Sequence, residues 1–260
     1  MVNIDNYAYI SKLKNINPSE KLFFALLTMG VCLGANSTVI SLAILLIMAW
    51  ITVQKGGIPF KVFLKLMLVP LLFLIIGVLT IAITAADSPV SYIFSVRIFD
   101  TYLGVSKTGI VSATRLLFRA LGAVSCLYYL SLNTPLIDLL SALKKLKCPI
   151  LLLELMNLIY RFIFVLMETA DTIYLAQNSR LGYSTIKSGY HSLGGLVSTL
   201  FVRAYKQSDE LYTALEARGY DGGEIKVLEE QFQFGKAGYI KAAVINIFLI
   251  IAALALRKYW

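Results

Sequence analysis

The 260-residue sequence predicts an all-α integral membrane protein, with about five transmembrane helices and a cytoplasmic region of long helices. Three observations lead there. Hydrophobic residues make up 58% of the chain and charged residues only 15%, against about 45–50% and ~25% in a soluble domain. The mean hydropathy is +0.75, and apolar runs recur at lengths suited to membrane spans. Finally, eleven of the fifteen acids fall between Thr134 and Lys236, together with eleven basic residues. That stretch is near neutral, so the formal net charge of +9 resides on the rest of the chain. Charges inside lipid cost at least a few kcal/mol each, so carboxylates gathered in one region place that region in water.

The elements follow in order. Lys12, Lys14 and Lys21 lead into a first span over about Leu22–Ala35, read as an uncleaved membrane segment because another apolar run follows at once. Gly30-x-x-x-Gly34 puts two glycines on one face of it and suggests close backbone packing. Further spans are expected over about Thr38–Val53, Leu66–Ala86, Gly109–Leu130 and Ala237–Leu256, since a crossing needs about 20 apolar residues. Lys55, Lys61 and Lys65 lie between the second and third spans. In the loop from Asp87 to Lys107, Asp87 and Asp100 balance Arg97 and Lys107. Basic residues favour the cytoplasmic side, which sets the N-terminus there. The expected organisation is a membrane part over 1–133 with about four spans, a cytoplasmic helical region over 134–236, and a final span in 237–260.

Within the polar region, Thr134 is a candidate N-cap with Pro135 in the first turn of a short helix ending before Pro149. Leu136, Leu139, Leu140 and Leu143 share one face, and Lys144, Lys145 and Lys147 cluster at its C-terminal end, as expected of a helix lying along the inner membrane surface. Two long helices follow, over about Ile150–Leu181 and Ser188–Arg218, each stopping at a glycine. About 30 residues make a rod of ~45 Å.

Several chemistries find no support. The basic residues flank apolar runs and form no aromatic-laced patch, so a nucleic-acid partner is not expected. Cys32, Cys126 and Cys148 lack disulfide or metal spacing. The one histidine, His191, has no neighbours to complete a metal site, and "GKAG" at Gly235–Gly238 is not a phosphate loop. No metal, cofactor or catalytic residue is therefore expected. Arg115 and Arg119 lie one turn apart inside the fourth span; ion pairing, snorkelling or a functional role are all open to them.

What the sequence does repeat is a helix ending. Ala176, Arg180, Gly182 and Tyr183 match Ala214, Arg218, Gly219 and Tyr220. An arginine in a last turn suits the helix dipole and a glycine stops the helix, which would explain one case. Two such endings, with small Ser179 and Ala217 beside the arginines, suit tips that enter two similar grooves. There an arginine fork can meet a carboxylate with paired hydrogen bonds.

"EARGY" at Glu216–Tyr220 and "SR" at Ser179–Arg180 resemble the two Ala-Arg-Gly signatures of the transmembrane coupling (T) components of energy-coupling factor (ECF) transporters. Asp5-x-x-Ala8-x-x-Ser11-x-Leu13 and Pro18-x-x-Lys21-Leu22 look like the cobalt-type branch, often called CbiQ, and "LNTPLIDLLSALKKLKCP" is similar to that family's entry into its coupling helices. The resemblance runs from about Asp5 to Leu256. It is intact at Ala217, Arg218 and Gly219 but departs at Ser179-Arg180-Leu181, where the glycine comes late, at Gly182.

The resemblance implies a multi-subunit importer of the ABC type, in the cell membrane. Two ATP-hydrolysing subunits would take the tips formed by Ser179, Arg180, Leu181 and Gly182 and by Ala217, Arg218 and Gly219. A separate membrane subunit would capture the substrate, cobalt or nickel. This chain would be a scaffold and not an enzyme, ATP being bound by its partners. A vitamin-type coupling component, a self-contained secondary permease and a lipid-modifying membrane enzyme are the alternatives. The sparse intramembrane charge speaks against the permease, and the missing acid–base constellation against the enzyme.

Overall fold

The structure, a computed structural model, describes residues 4–86, 92–98, 101–220 and 236–258. Helices dominate: α1 (Ile4–Ile10), α2 (Pro18–Gly34), α3 (Thr38–Trp50), α4 (Phe60–Ala82), α5 (Lys107–Asn133), α6 (Leu136–Lys145), α7 (Ile150–Ser179), α8 (Ile186–Ala217) and α9 (Lys236–Lys258). A π-helical turn, Ile51–Lys55, prolongs α3. The chain separates into two compact units, Met1–Ala142 with Glu230–Trp260, and Leu143–Glu229.

In the first unit α5 is the central post, packed by α1, α2, α3 and α4, with α9 against α2 and α3. One cluster joins Phe24, Ile40, Ile44, Met48, Tyr129 and Leu249, and the Phe24 and Tyr129 rings meet edge-on at 5.5 Å. A second gathers Ile58, Phe63, Met67, Leu121 and Leu132 where α4 meets α5. Close approach is set by Gly122 on α5, where a Cβ would stand 2.7 Å from Cys32 Sγ and 3.0 Å from the Ser41 carbonyl. Among the described residues nothing lies within 4 Å of a Cβ position on Gly30 or Gly34, so neither glycine packs closely on another described element of this chain.

Among the described residues, five helical segments are long and apolar enough to cross a membrane: Thr38–Lys55, Phe60–Ile81, Gly109–Asn133, Ile150–Ser179 and Gly238–Ala255. The set differs from the expected one at a single place. The expected first span is the 17-residue α2, about 25 Å long at 1.5 Å per residue and short of the ~30 Å hydrocarbon core. In its stead stands α7, whose first half is as greasy as a span.

Arg119 accounts for the short α2. Its guanidinium, midway along α5, donates to the Leu33 carbonyl and, at 3.1 Å, to Asn36 Oδ1. It caps the exposed carbonyl end of α2, where the dipole's negative end and unmade carbonyl bonds both favour a cation. This role is neither ion pair nor snorkelling. Arg115 has a buried Nε with no hydrogen-bond partner among the described residues, and nothing in the structure explains it.

The third span ends at Ala82 and not at Ala86, because Ile83–Ala86 forms β1 of a small antiparallel sheet with β2 (Tyr92–Ile98) and β3 (Thr101–Ser106), in the order β1-β3-β2. The β-branched pair Ile83-Thr84 suits a strand. Asp87 and Asp100 lie outside the described residues, as does Gly235 of the "GKAG" stretch.

At the foot of the bundle, Lys21 is 2% exposed and its Nζ donates to the Leu13 carbonyl at 3.1 Å and the Asn133 carbonyl at 2.8 Å. Ser11 Oγ donates to Asn133 Oδ1 at 2.8 Å, and Gly56 crowds that same oxygen. One buried polar knot thereby ties α1, α2, the π turn and the end of α5. Thr134, expected to cap α6, instead buries its hydroxyl with no hydrogen-bond partner among the described residues, and α6 starts after Pro135.

Candidate functional site: two arginine helix ends

The second unit contains α7 and α8, which pack on each other. α8 has no buried residue and α7 buries only Leu153 and Tyr160. His191, near the start of α8, is exposed. No group of His, Cys, Asp or Glu among the described residues is placed to hold a metal ion.

Each long helix ends on its arginine. Arg180 is the C-cap of α7 (φ −98°, ψ 18°) and Arg218 the C-cap of α8 (φ −94°, ψ 8°). The backbone then closes in the same way twice. In the first ending the Gly182 amide donates to the Gln177 carbonyl at 2.9 Å and the Leu181 amide to that of Asn178 at 3.0 Å. In the second, the Tyr220 amide donates to the Leu215 carbonyl at 3.0 Å and the Gly219 amide to that of Glu216 at 2.9 Å. This double closure satisfies carbonyls that the helix end would leave bare. Both arginine side chains are exposed.

The match corrects the register read from the sequence. Aligning the glycines inserts a residue in the first ending; the hydrogen bonds insert none. Leu181, at φ 59°, occupies the left-handed position that Gly219 holds at φ 75°. Gly182 therefore corresponds to Tyr220, and its smallness serves something else. A Cβ there would meet Ser192 Oγ at 2.7 Å and the Gln177 carbonyl at 2.8 Å.

That corner is stitched across to α8. Ser188 Oγ and Ser192 Oγ donate to the Gly182 carbonyl at 2.9 and 2.8 Å, and Gln177 Nε2 donates to the Ser192 carbonyl at 3.0 Å. Tyr183 donates its hydroxyl to Gln177 Oε1 at 2.8 Å, and its ring lies 4.8 Å from that of Tyr174. Sequence reasoning missed Gln177, Ser188 and Ser192, because polar residues inside an amphipathic helix look solvated until the partner helix is placed. Among the described residues the second ending has no such brace: a Cβ on Gly219 would meet nothing within 4 Å.

Comparison with known proteins gives a family. Residues 10–228 match the family model described as CbiQ, cobalt transport protein. The chain is 34% identical over 256 residues to an uncharacterized protein of Methanocaldococcus jannaschii, covering 98% of this chain and 94% of that one. It is 30% identical over 224 residues to the cobalt transport protein CbiQ of Salmonella typhimurium, covering 85% and 98%. Over 226 residues it is 32% identical to the energy-coupling factor transporter transmembrane protein EcfT of Bacillus subtilis, covering 82% of each.

Proposed function

The chain belongs to the CbiQ family of cobalt transport proteins, the cobalt-type transmembrane components of ECF transporters, and from that premise we propose that it couples ATP hydrolysis by two partner ATPases to import through a separate substrate-binding membrane subunit. The carrying observation is the pair of equivalent arginine endings. Arg180 and Arg218 sit at the same position of the same backbone closure, with exposed guanidinium groups. Each tip, Ser179–Gly182 and Ala217–Gly219, docks in a carboxylate-bearing groove of one ATPase subunit. ATP binding draws the two ATPases together, the tips follow, and α7 and α8 carry the displacement toward the membrane part. The substrate is cobalt, held by the partner and not by this chain; nickel is the alternative cargo. The N-terminus and both tips lie on the cytoplasmic side of the cell membrane.

Removing a guanidinium leaves the facing carboxylate unpaired, a loss of about 2–5 kcal/mol when that pair is buried. The double variant Arg180→Ala with Arg218→Ala is expected to lose stable association with the ATPase subunits and ATP-driven metal uptake, measured on the purified complex in proteoliposomes. Assembly and uptake at wild-type levels would rule the docking role out.

A further inference from the structure

The double closure that ends α7 and α8 occurs a third time. At the end of α6 the Cys148 amide donates to the Leu143 carbonyl at 3.4 Å and the Lys147 amide to that of Lys144 at 3.0 Å. Lys147, at φ 61°, holds the left-handed position that Leu181 and Gly219 hold at the other two ends. Leu146 therefore stands where those ends place Arg180 and Arg218. The backbone is shared, but the display is reversed. Each arginine follows a small residue, Ser179 or Ala217, whereas Leu146 lies between Lys145 and Lys147, with Lys144 just before them. Leu146 is 67% exposed and all three lysines are exposed. Beyond Pro149 the chain enters α7 through Ile150 and Leu151, which are exposed too. A left-handed lysine is strained where a glycine would not be, and strain kept at a surface turn points to a use for that turn.

The chemistry of the turn decides what it fits. A run of exposed apolar residues framed by ammonium groups marks contact with an apolar phase that has an anionic boundary. No arginine fork is present to pair with a single carboxylate. Lysine stems instead lie along apolar surface and lift their charges to a polar layer. That is the layering of a bilayer leaflet, acyl chains within and phosphates above. A leaflet is also within reach: α5, a candidate span, ends at Asn133, and the ten residues of α6 extend about 15 Å. We propose that the α6–α7 turn is a docking site for anionic phospholipid, with Leu146, Ile150 and Leu151 among the acyl chains and Lys144, Lys145 and Lys147 at the phosphates. α7 is thereby held at the bilayer by its first turn, 30 residues before the arginine at its other end.

Leu146→Cys, made in a variant lacking Cys32, Cys126 and Cys148 and carrying a nitroxide label, reads the surroundings of the turn. In nanodiscs of phosphatidylcholine with phosphatidylglycerol, the label is expected to meet dissolved oxygen and to be shielded from a water-soluble nickel chelate. A label on Ala217→Cys meets the chelate. In phosphatidylcholine alone, or with Lys144, Lys145 and Lys147 all changed to Gln, the shielding at position 146 falls. The chain with its cysteines intact gives a second reading. Its affinity for phosphatidylglycerol added in detergent drops about fivefold in Lys147→Gln and roughly a hundredfold in the triple Gln variant. A chelate-exposed label at position 146 in the anionic nanodisc overturns the proposal. Equal shielding in both lipids, with unchanged lipid affinity in the triple variant, overturns it too, because apolar contact alone would give that result. Shielding that arises only when a membrane partner subunit is added means that protein covers the turn, and the lipid site falls. The arginine tips take no part in this, so wild-type ATPase binding by Arg180→Ala with Arg218→Ala would defeat the docking reading and leave the lipid site standing.

Discussion

At the residue scale, the most exacting position is Lys21. A lysine that is 2% exposed has surrendered its hydration, and the carbonyls of Leu13 and Asn133 replace it. Lys21→Met keeps the length but leaves a buried carbonyl, of Asn133, and a half-buried one, of Leu13, without their donor, a cost of roughly 3 kcal/mol. Burial pushes the Lys21 amine down to about 8, against the opposing pull of the Asp138 charge, from an ordinary value near 10.5. Between those values the unfolded chain binds more protons than the folded one. Stability therefore rises with pH from about 8 to about 10.5 on this group's account. The melting temperature of the wild-type chain in detergent is expected to gain on that of Lys21→Met across this window. A constant difference would mean that the amine is not desolvated as described. The lysine was visible in the sequence as part of Pro18-x-x-Lys21-Leu22, but its burial was not, since its acceptors come from residues 8 and 112 positions away.

At the scale of elements, helices were legible where a periodic apolar run met a stop signal, and less so where a distant group intervened. α7 and α8 begin and end within a few residues of the expected Ile150–Leu181 and Ser188–Arg218. By contrast, Gly30 and Gly34 advertised packing that Gly122 performs, because a spacing shows which face glycines occupy and not what faces them. The repeated ending was legible as residues and misaligned by one, since only the hydrogen bonds reveal that a leucine fills the left-handed site. Arg119 is the instructive case. A charge inside a span reads as functional by default, yet this one finishes another helix. Arg119→Leu removes the donor to Leu33 and Asn36 and exposes the α2 terminus to an apolar surround, at a cost of about 1–3 kcal/mol. A fall in melting temperature is expected, with Arg119→Lys intermediate because a lysine reaches one acceptor more readily than two. A melting temperature unmoved by Arg119→Leu would remove the cap from the account of why α2 is short.

At the scale of the whole molecule, α7 carries a choice between two topologies. By length and composition Ile150–Ser179 can span a bilayer. Were it to do so in addition to α2, after α5 had returned to the cytoplasm, Arg180 would emerge on the outer face; were it to do so in place of α2, position 95 between α4 and α5 would move to the cytoplasmic side instead. The next candidate span is Gly238–Ala255, so in the first case Arg218 would be outside as well, where no ATPase could meet either tip. Against a crossing stand four ionisable residues on α7, Glu154, Arg161, Glu168 and Asp171, each costing at least ~2.5 kcal/mol near a bilayer centre. α2, though short, carries no charge between Leu22 and Gly34 and has Arg119 to close its end. The lower-cost topology is α2, α3, α4, α5 and α9 across the membrane and α7 along or below it. Single cysteines at Ser179, Ala217 and Ser95, placed in a variant lacking Cys32, Cys126 and Cys148, separate the two. A membrane-impermeant maleimide should label positions 179 and 217 only in inside-out vesicles and position 95 only in intact cells. Labelling of position 179 from outside intact cells would establish the α7 crossing, and with it no arginine tip could reach a nucleotide-driven partner.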